Sequence, residues 1–314
     1  MRIIIKEPNT FSTYFKIITN YELELPITGI TTDSREVKKN DLFISIKGKR
    51  HNGNNFLKDV YESKASAALV SKLDKKVKIQ QILVKNTIEI ICAIAKLWRG
   101  KYSIPIIAIT GSNGKTSTKE LLYHVLSDQY KVHATKKNHN TILGVSLTLL
   151  ELDDSFDISI LELGSSQLGE IKNLCDISKP THGLITNISQ AHLTGLKSIE
   201  KIIHEKGALF NALKNGLSFV NTADKKVRGI EVKGKKVTFG TNSDCDFSAE
   251  IKTEKDGTLT LSIDSYIILM GSYNHSFLKN IIAVNAVAQT LGIKKNKLKS
   301  KIQSFKTPSG RCSI

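Results

Sequence analysis

The chain has 314 residues, 40% of them hydrophobic and 24% charged, with 20 Gly and 5 Pro. That length fits two domains at ~100–200 residues each, and the composition excludes collagen-like, wholly disordered and small disulfide-stapled chains. Lys and Arg number 46 against 29 Asp and Glu, and the net charge of +17 points to polyanionic partners without choosing among nucleic acid, phosphorylated ligands and a membrane surface.

The amino terminus offers only Ile3, Ile4 and Ile5 before Lys6, Glu7 and Pro8, too short and polar for the apolar core of a signal peptide. No later run approaches the ~18 apolar residues of a membrane span. Cys92, Cys175, Cys245 and Cys312 form no Cys-x-x-Cys pair, so free thiols in a reducing cytoplasm are expected rather than a zinc knuckle or disulfides. Up to about Asn86, short apolar runs (Asp41 to Ile46, Ala67 to Val70, Gln81 to Val84) alternate with turn residues, which reads as a small mixed α/β unit. A helical stripe of Ile90, Ile91, Ile94, Ala95, Leu97 and Trp98 follows.

From Ile104 the pattern changes. Apolar strands at Ile106 to Ile109, Ile158 to Leu163 and Gly183 to Ile188 alternate with amphipathic helices such as Lys115 to Leu126, which predicts a mainly parallel sheet flanked by helices. A smaller β-rich part spans Leu217 to Met270, with Asp256-Gly257 as a hairpin turn. A last long helix runs from about Phe277 to Leu291 and stops at Gly292. The lysine run Lys294 to Lys301 reads as the solvated face of a helix rather than a nucleic-acid site. The fold class predicted is α/β, with domains at 1–86 and 87–307 and a short remainder at 308–314.

The most informative stretch is Gly111-Ser112-Asn113-Gly114-Lys115-Thr116-Ser117, between a buried strand and an amphipathic helix. Two glycines allow a tight turn whose N–H groups converge on phosphate oxygens. The helix N-terminus adds a favourable field, Lys115 neutralises charge on the β- and γ-phosphates, and Thr116 can hold Mg²⁺. Glu162 is a carboxylate in an otherwise apolar strand and needs a partner, whether a salt bridge or a metal. Taken singly, Lys206 is an ordinary helix lysine and His192 an ordinary interior or surface histidine.

The stretch Thr110 to Glu120 resembles the phosphate loop of the Mur ligases, ATP-dependent amide-forming enzymes of peptidoglycan synthesis and so of cell shape and division. Further blocks agree in order: Thr32-Asp-Ser-Arg35 with Asn40 to Gly48, Glu162 to Ile171, and Pro180 to Leu193. Within the family the pattern most resembles the member that joins D-alanyl-D-alanine to UDP-N-acetylmuramoyl-tripeptide. The resemblance implies a UDP-sugar-binding amino-terminal domain and an ATP-binding central domain, with an acyl phosphate intermediate. It implies ATP contacts at Gly111 to Ser117, Asn274, Asn280 and Arg311, and Mg²⁺ on Thr116, Glu162 and His192. It further implies substrate contacts at Ser34, Arg35, Asn138, Asn140 and Ser165. Lys115, His192 and Lys206 take the catalytic roles, Lys206 matching a lysine that the family carbamylates. A cytoplasmic monomer without nucleic-acid partner or membrane insertion is expected.

The chain departs from the family at Thr141 and Ser146, which replace an asparagine and a proline, at Leu196 to Ser198, and at Ala208, which replaces an acidic residue. Family members also carry a third domain after the Gly-Arg motif, whereas this sequence ends three residues after Arg311. A catalytic site lacking one wall holds its reactants poorly, so the chain alone is expected to bind ATP and the UDP substrate and to ligate poorly or not at all, the alternative being a nucleotide- and UDP-sugar-binding homologue without turnover.

Overall fold

In the first of two sheets, β1 (Arg2–Ile4) pairs antiparallel with β2 (Gly29–Thr31), while β3 (Asp41–Ile44), β4 (Ala67–Val70) and β5 (Gln80–Leu83) add in parallel order. The computed structural model describes residues 1–48, 51–190, 193–196, 198–255, 258–263, 266–270 and 275–305. The expected turn at Asp256-Gly257, the site residues His192, Asn274 and Arg311, and the segment 308–314 lie outside these. The chain divides into two units, Met1–Ser103 with Ile142–Asp154, and Ile104–Thr141 with Ser155–Ile314.

In the first unit, α1 (Pro8–Thr19) starts on a proline, buries Phe11 and Phe15, and ends where Asn20 turns left-handed at φ 60°. Asp41 is fully buried, and Arg2 closes a two-pronged bond on it at 2.7 and 2.8 Å, the geometry that offsets the cost of burying a carboxylate. Between β3 and β4 lies the short α2 (Leu57–Glu62). Asn86 caps α3 (Thr87–Gly100), whose Ile91, Ile94, Ala95 and Trp98 form one buried stripe at helical spacing.

Among the described residues the second unit has nine strands in the order β14-β13-β12-β11-β10-β9-β6-β8-β7. They are β6 (Ile106–Thr110), β7 (Val132–Ala134), β8 (Ile158–Glu162), β9 (His182–Ile185), β10 (Leu217–Asn221), β11 (Lys235–Gly240), β12 (Phe247–Thr253), β13 (Leu259–Ile263) and β14 (Tyr266–Met270). Pairing is parallel from β7 to β12 and antiparallel from β12 to β14. The helices are α4 (Lys115–Leu126), α5 (Ile142–Leu149), α6 (Glu170–Ser178), α7 (Leu193–Leu196), α8 (Ile199–Ala212), α9 (Lys225–Arg228), α10 (His275–Thr290) and α11 (Lys295–Ser304); of these, α5 belongs to the first unit. A core of Ile107, Ile109, Leu121, Leu122, Leu184, Phe219, Phe277 and Ile281 joins the central strands to α4 and α10. Gly292 takes φ 88° just past α10, and α11 buries Leu298 and Ile302 while Lys297 and Lys301 reach Asp128 at its surface.

One boundary differs from the sequence reading. The helix Thr87–Gly100, assigned there to the second domain, packs in the first unit together with residues 142–154. The indole N–H of Trp98, 1% exposed, donates to the Leu152 carbonyl at 3.0 Å. An apolar stripe states that a helix is covered and leaves its partner unnamed. Trp98→Phe removes that donor and leaves a buried carbonyl unpaired, so urea denaturation is expected to show a loss of about 1–3 kcal/mol; unchanged stability would contradict the pairing.

Candidate functional site

The sheet order changes direction at β6, which has β8 on one side and β9 on the other, and such crevices at the carboxyl ends of strands are where α/β sheets bind ligands. All five residues of β6 are buried, and the chain then turns through Gly111 at φ 143° and Gly114 at φ 80° into α4. A Cβ at Gly111 would lie 2.1 Å from Thr186 Oγ1, and one at Gly114 would lie 2.7 Å from Asn280 Oδ1. Both positions therefore need glycine for space as well as for backbone angle.

The loop is latched to the segment after β9. Ser112 N–H donates to the Asn187 carbonyl at 2.9 Å, and the Ser112 hydroxyl donates to the Ser189 carbonyl and accepts from Ser189 N–H. Asn187 reads the Asn113 backbone twice, accepting from its N–H at 3.2 Å and donating to its carbonyl at 3.0 Å. Ser112 and Asn113, expected to touch nucleotide, thus use these groups to hold the loop in shape. Lys115 Nζ donates to the Gly111 and Ser112 carbonyls at 2.6 and 3.1 Å. Burial lowers its proton affinity, and nearby Glu162 partly opposes this. Thr116 and Ser117 occupy the first turn of α4, half-buried.

Glu162 ends β8 beside Ile109 of β6 and is 2% exposed. Its N–H donates to Thr135 Oγ1 at 3.0 Å, and its Oε1 accepts from Asn140 Nδ2 at 2.8 Å. Oε2 is buried and has no hydrogen-bond partner among the described residues, which is costly for an ionised oxygen unless a cation completes it. Among the described residues no three His, Cys, Asp or Glu side chains gather as a metal cluster. Mg²⁺ suits such a site, because it binds through one or two carboxylates together with phosphates and water.

Lys206, on α8, has a side chain buried to the same degree and donates to Ser165 Oγ at 2.7 Å. Burial, then neighbouring Lys115, brings its pKa down to about 8, against the opposing pull of Glu205 and Glu170. Glu205, which the sequence reading missed, is 1% exposed and accepts from the Gly169 and Ile171 N–H groups at 2.6 and 2.7 Å, joining α8 to the start of α6. Asn140 and Ser165, expected on the substrate, are placed on Glu162 and Lys206. Asn138 is exposed, its carbonyl accepting from Asn140 N–H at 2.8 Å.

Cavities lie in both units. In the second, a cavity of about 550 Å³ is lined by Gly114, Asn187, Asn221, Lys225 and Asn280, among others. In the first, a cavity of about 550 Å³ is lined by Thr32, Ser34, Arg35, His51 and Phe56, among others. There Arg35 forks onto Asp33 at 2.9 and 2.6 Å, which holds the Asp33 carboxyl down at about 2.

A glycine turn from a central strand into a helix, with a lysine at its end and a half-bonded carboxylate on the adjoining strand, defines a P-loop nucleotide-binding α/β protein. The Mur ligase middle domain family matches residues 109–288, and the Mur ligase catalytic domain family matches residues 26–99. The chain belongs to the Mur ligase family. It is 34% identical over 313 residues to the UDP-N-acetylmuramoyl-tripeptide–D-alanyl-D-alanine ligase of Synechocystis sp., covering 94% of this chain and 64% of that protein. The Escherichia coli protein of the same name is 31% identical over 310 residues, covering 94% and 68%. A crystal structure of MurF from Acinetobacter baumannii aligns with a TM-score of 0.86 at 25% identity, covering 96% of this chain and 69% of that one. The Thermotoga maritima MurF ligase in complex with ADP aligns at 0.79 and 27% identity, covering 90% and 67%. The chain thus spans about two thirds of the length of these relatives.

Lys115→Ala removes the cation at the end of the loop. Calorimetry with ADP is expected to show binding weakened by about ten- to a hundredfold, the worth of a charge-assisted bond; undiminished affinity would contradict the assignment of the loop.

Proposed function

We propose that this chain is an ATP-dependent amide ligase that acts on UDP-N-acetylmuramoyl-tripeptide and D-alanyl-D-alanine. The observation that carries the proposal is the register Ile109↔Glu162, which sets the half-bonded carboxylate beside the strand that feeds the phosphate loop. The relatives' names supply the substrate class, and the cavity lined by Ser34 and Arg35 is assigned to the UDP sugar. ATP is assigned to the cavity lined by Gly114 and Asn280.

In the first step a substrate carboxylate oxygen attacks the γ-phosphorus of ATP and the bond to ADP breaks, leaving an acyl phosphate. In the second, the dipeptide amine attacks the acyl carbon, phosphate departs, and the amine proton passes to solvent or phosphate. The loop N–H groups and the start of α4 orient the phosphates, and Lys115 offsets their charge. To face phosphate, the Lys115 ammonium must leave the Gly111 and Ser112 carbonyls that it binds here. Thr116 and Glu162, with His192 by resemblance, would hold Mg²⁺, which supplies charge neutralisation at the transferred phosphoryl group. Lys206 has the lowered proton affinity that reaction of its amine with CO₂ requires, which supports the carbamylation implied by the resemblance. No helix among the described residues is long and apolar enough to cross a membrane. The reading takes the protein as a cytoplasmic monomer.

A second reading, a nucleotide- and UDP-sugar-binding protein without turnover, draws on the chain's spanning only about two thirds of its relatives. Hydroxylamine trapping separates the two. With ATP, Mg²⁺ and UDP-N-acetylmuramoyl-tripeptide, the ligase reading expects a trapped acyl hydroxamate that Glu162→Gln abolishes. Nucleotide binding without hydroxamate would contradict it and favour the second reading.

A further inference from the structure

Lys119 is a buried charge with no part in the reaction proposed above. It lies one helical turn beyond Lys115 on α4, its side chain only 2% exposed. Its Nζ donates to the Thr135 carbonyl at 2.5 Å and stands 2.8 Å from Glu120 Oε1. An apolar side chain would fill the same space without the cost of desolvating an ammonium, so the charge calls for an explanation from what it holds.

What it holds is the root of the segment that surrounds Glu162. Thr135 is the first residue past β7, at the edge of the sheet. Its N–H donates to the Ile160 carbonyl at 3.0 Å, and its hydroxyl accepts the Glu162 N–H at 3.0 Å. From Thr135 the chain runs directly to Asn140, whose side chain donates to Glu162 Oε1 and whose carbonyl accepts the Gly164 N–H at 2.8 Å. The contact is close: a Cβ at Gly164 would lie 2.8 Å from the Asn140 amide. Glu162 is thereby gripped at its backbone and at one carboxylate oxygen by residues of a single short segment, and Lys119 is the cation bound to the first carbonyl of that segment.

We infer that Lys119 is a positioning residue for Glu162: its ammonium fixes the Thr135 carbonyl and so the segment through Asn140, presenting Glu162 with Oε2 left over for a divalent cation. The inference rests on the reading of Glu162 as a cation ligand, and it ties the helix that follows the phosphate loop to the metal-binding strand. The loop lysine and the carboxylate are thereby set in a common frame through one buried residue.

The test uses Lys119→Met and Thr135→Val in the whole chain, with two readouts. Amide hydrogen exchange measures the grip on Glu162 without any ligand. Lys119→Met is expected to speed exchange at the Glu162 N–H by about tenfold, while amides of β10 stay protected. ADP calorimetry with and without Mg²⁺ measures the consequence. Both variants are expected to lose most of the strengthening that Mg²⁺ gives, with Mg²⁺-free affinity unchanged. A lower thermal midpoint with Glu162 exchange and the Mg²⁺ effect both unaltered would overturn the inference and leave Lys119 as packing. If Lys119→Met fails to fold, Lys119→Gln decides, since it removes the charge and shortens the reach to the Thr135 carbonyl while staying polar; unchanged Glu162 exchange and an unchanged Mg²⁺ effect there overturn the inference. Absence of any Mg²⁺ effect in the unaltered chain would instead overturn the metal role of Glu162, while the exchange result still decides whether Lys119 holds it.

Discussion

Glu162 sits almost wholly out of water, with one oxygen bonded to Asn140 and the other without a partner among the described residues. A carboxylate in that position is a standing cost to folding, and the surroundings do not relieve it by supplying a second donor. They hold it in place instead, from Thr135 at its backbone and from Asn140 at its side chain. Much of the second unit's arrangement follows from meeting that constraint at the carboxyl ends of β6 and β8.

The phosphate loop obeys a similar economy. Its polar groups mostly serve the loop itself, through the Asn113 backbone held by the Asn187 side chain, the Asn113 side chain on Ser189, and the reciprocal bonds between Ser112 and Ser189. Preorganisation of this kind leaves the backbone little to reorganise on binding, which is where affinity and catalysis by positioning both gain. The buried Lys206 and Glu205 continue the pattern: adjacent opposite charges on α8, one bonded to Ser165 and the other capping the approach to α6.

Features written in contiguous residues were legible in the sequence. The loop from Gly111 to Thr116 lies between strand and helix as read, and α4 matches its expected range. Helix α1 was missed, because its apolar stripe is short and its proline start lies among polar residues. The partners of Asn140, Ser165, Asn113 and Lys119 were not legible. These residues bond across gaps of 16 to 74 positions, and strand order, which no local pattern states, decides which residues meet. The same limit explains the shifted boundary, since α3 declares an apolar face without declaring that residues 142–154 return to cover it.

The account depends most on Glu162 as the protein's carboxylate for a divalent cation bound with nucleotide. Crystals grown with ADP and Mn²⁺, a metal with an anomalous signal that shares the oxygen preference of Mg²⁺, test this directly. The account predicts an anomalous peak within bonding distance of Glu162 Oε2 and of a nucleotide phosphate oxygen. Nucleotide bound at the loop with no peak beside Glu162, or with Oε2 taken up by a protein donor, would contradict it.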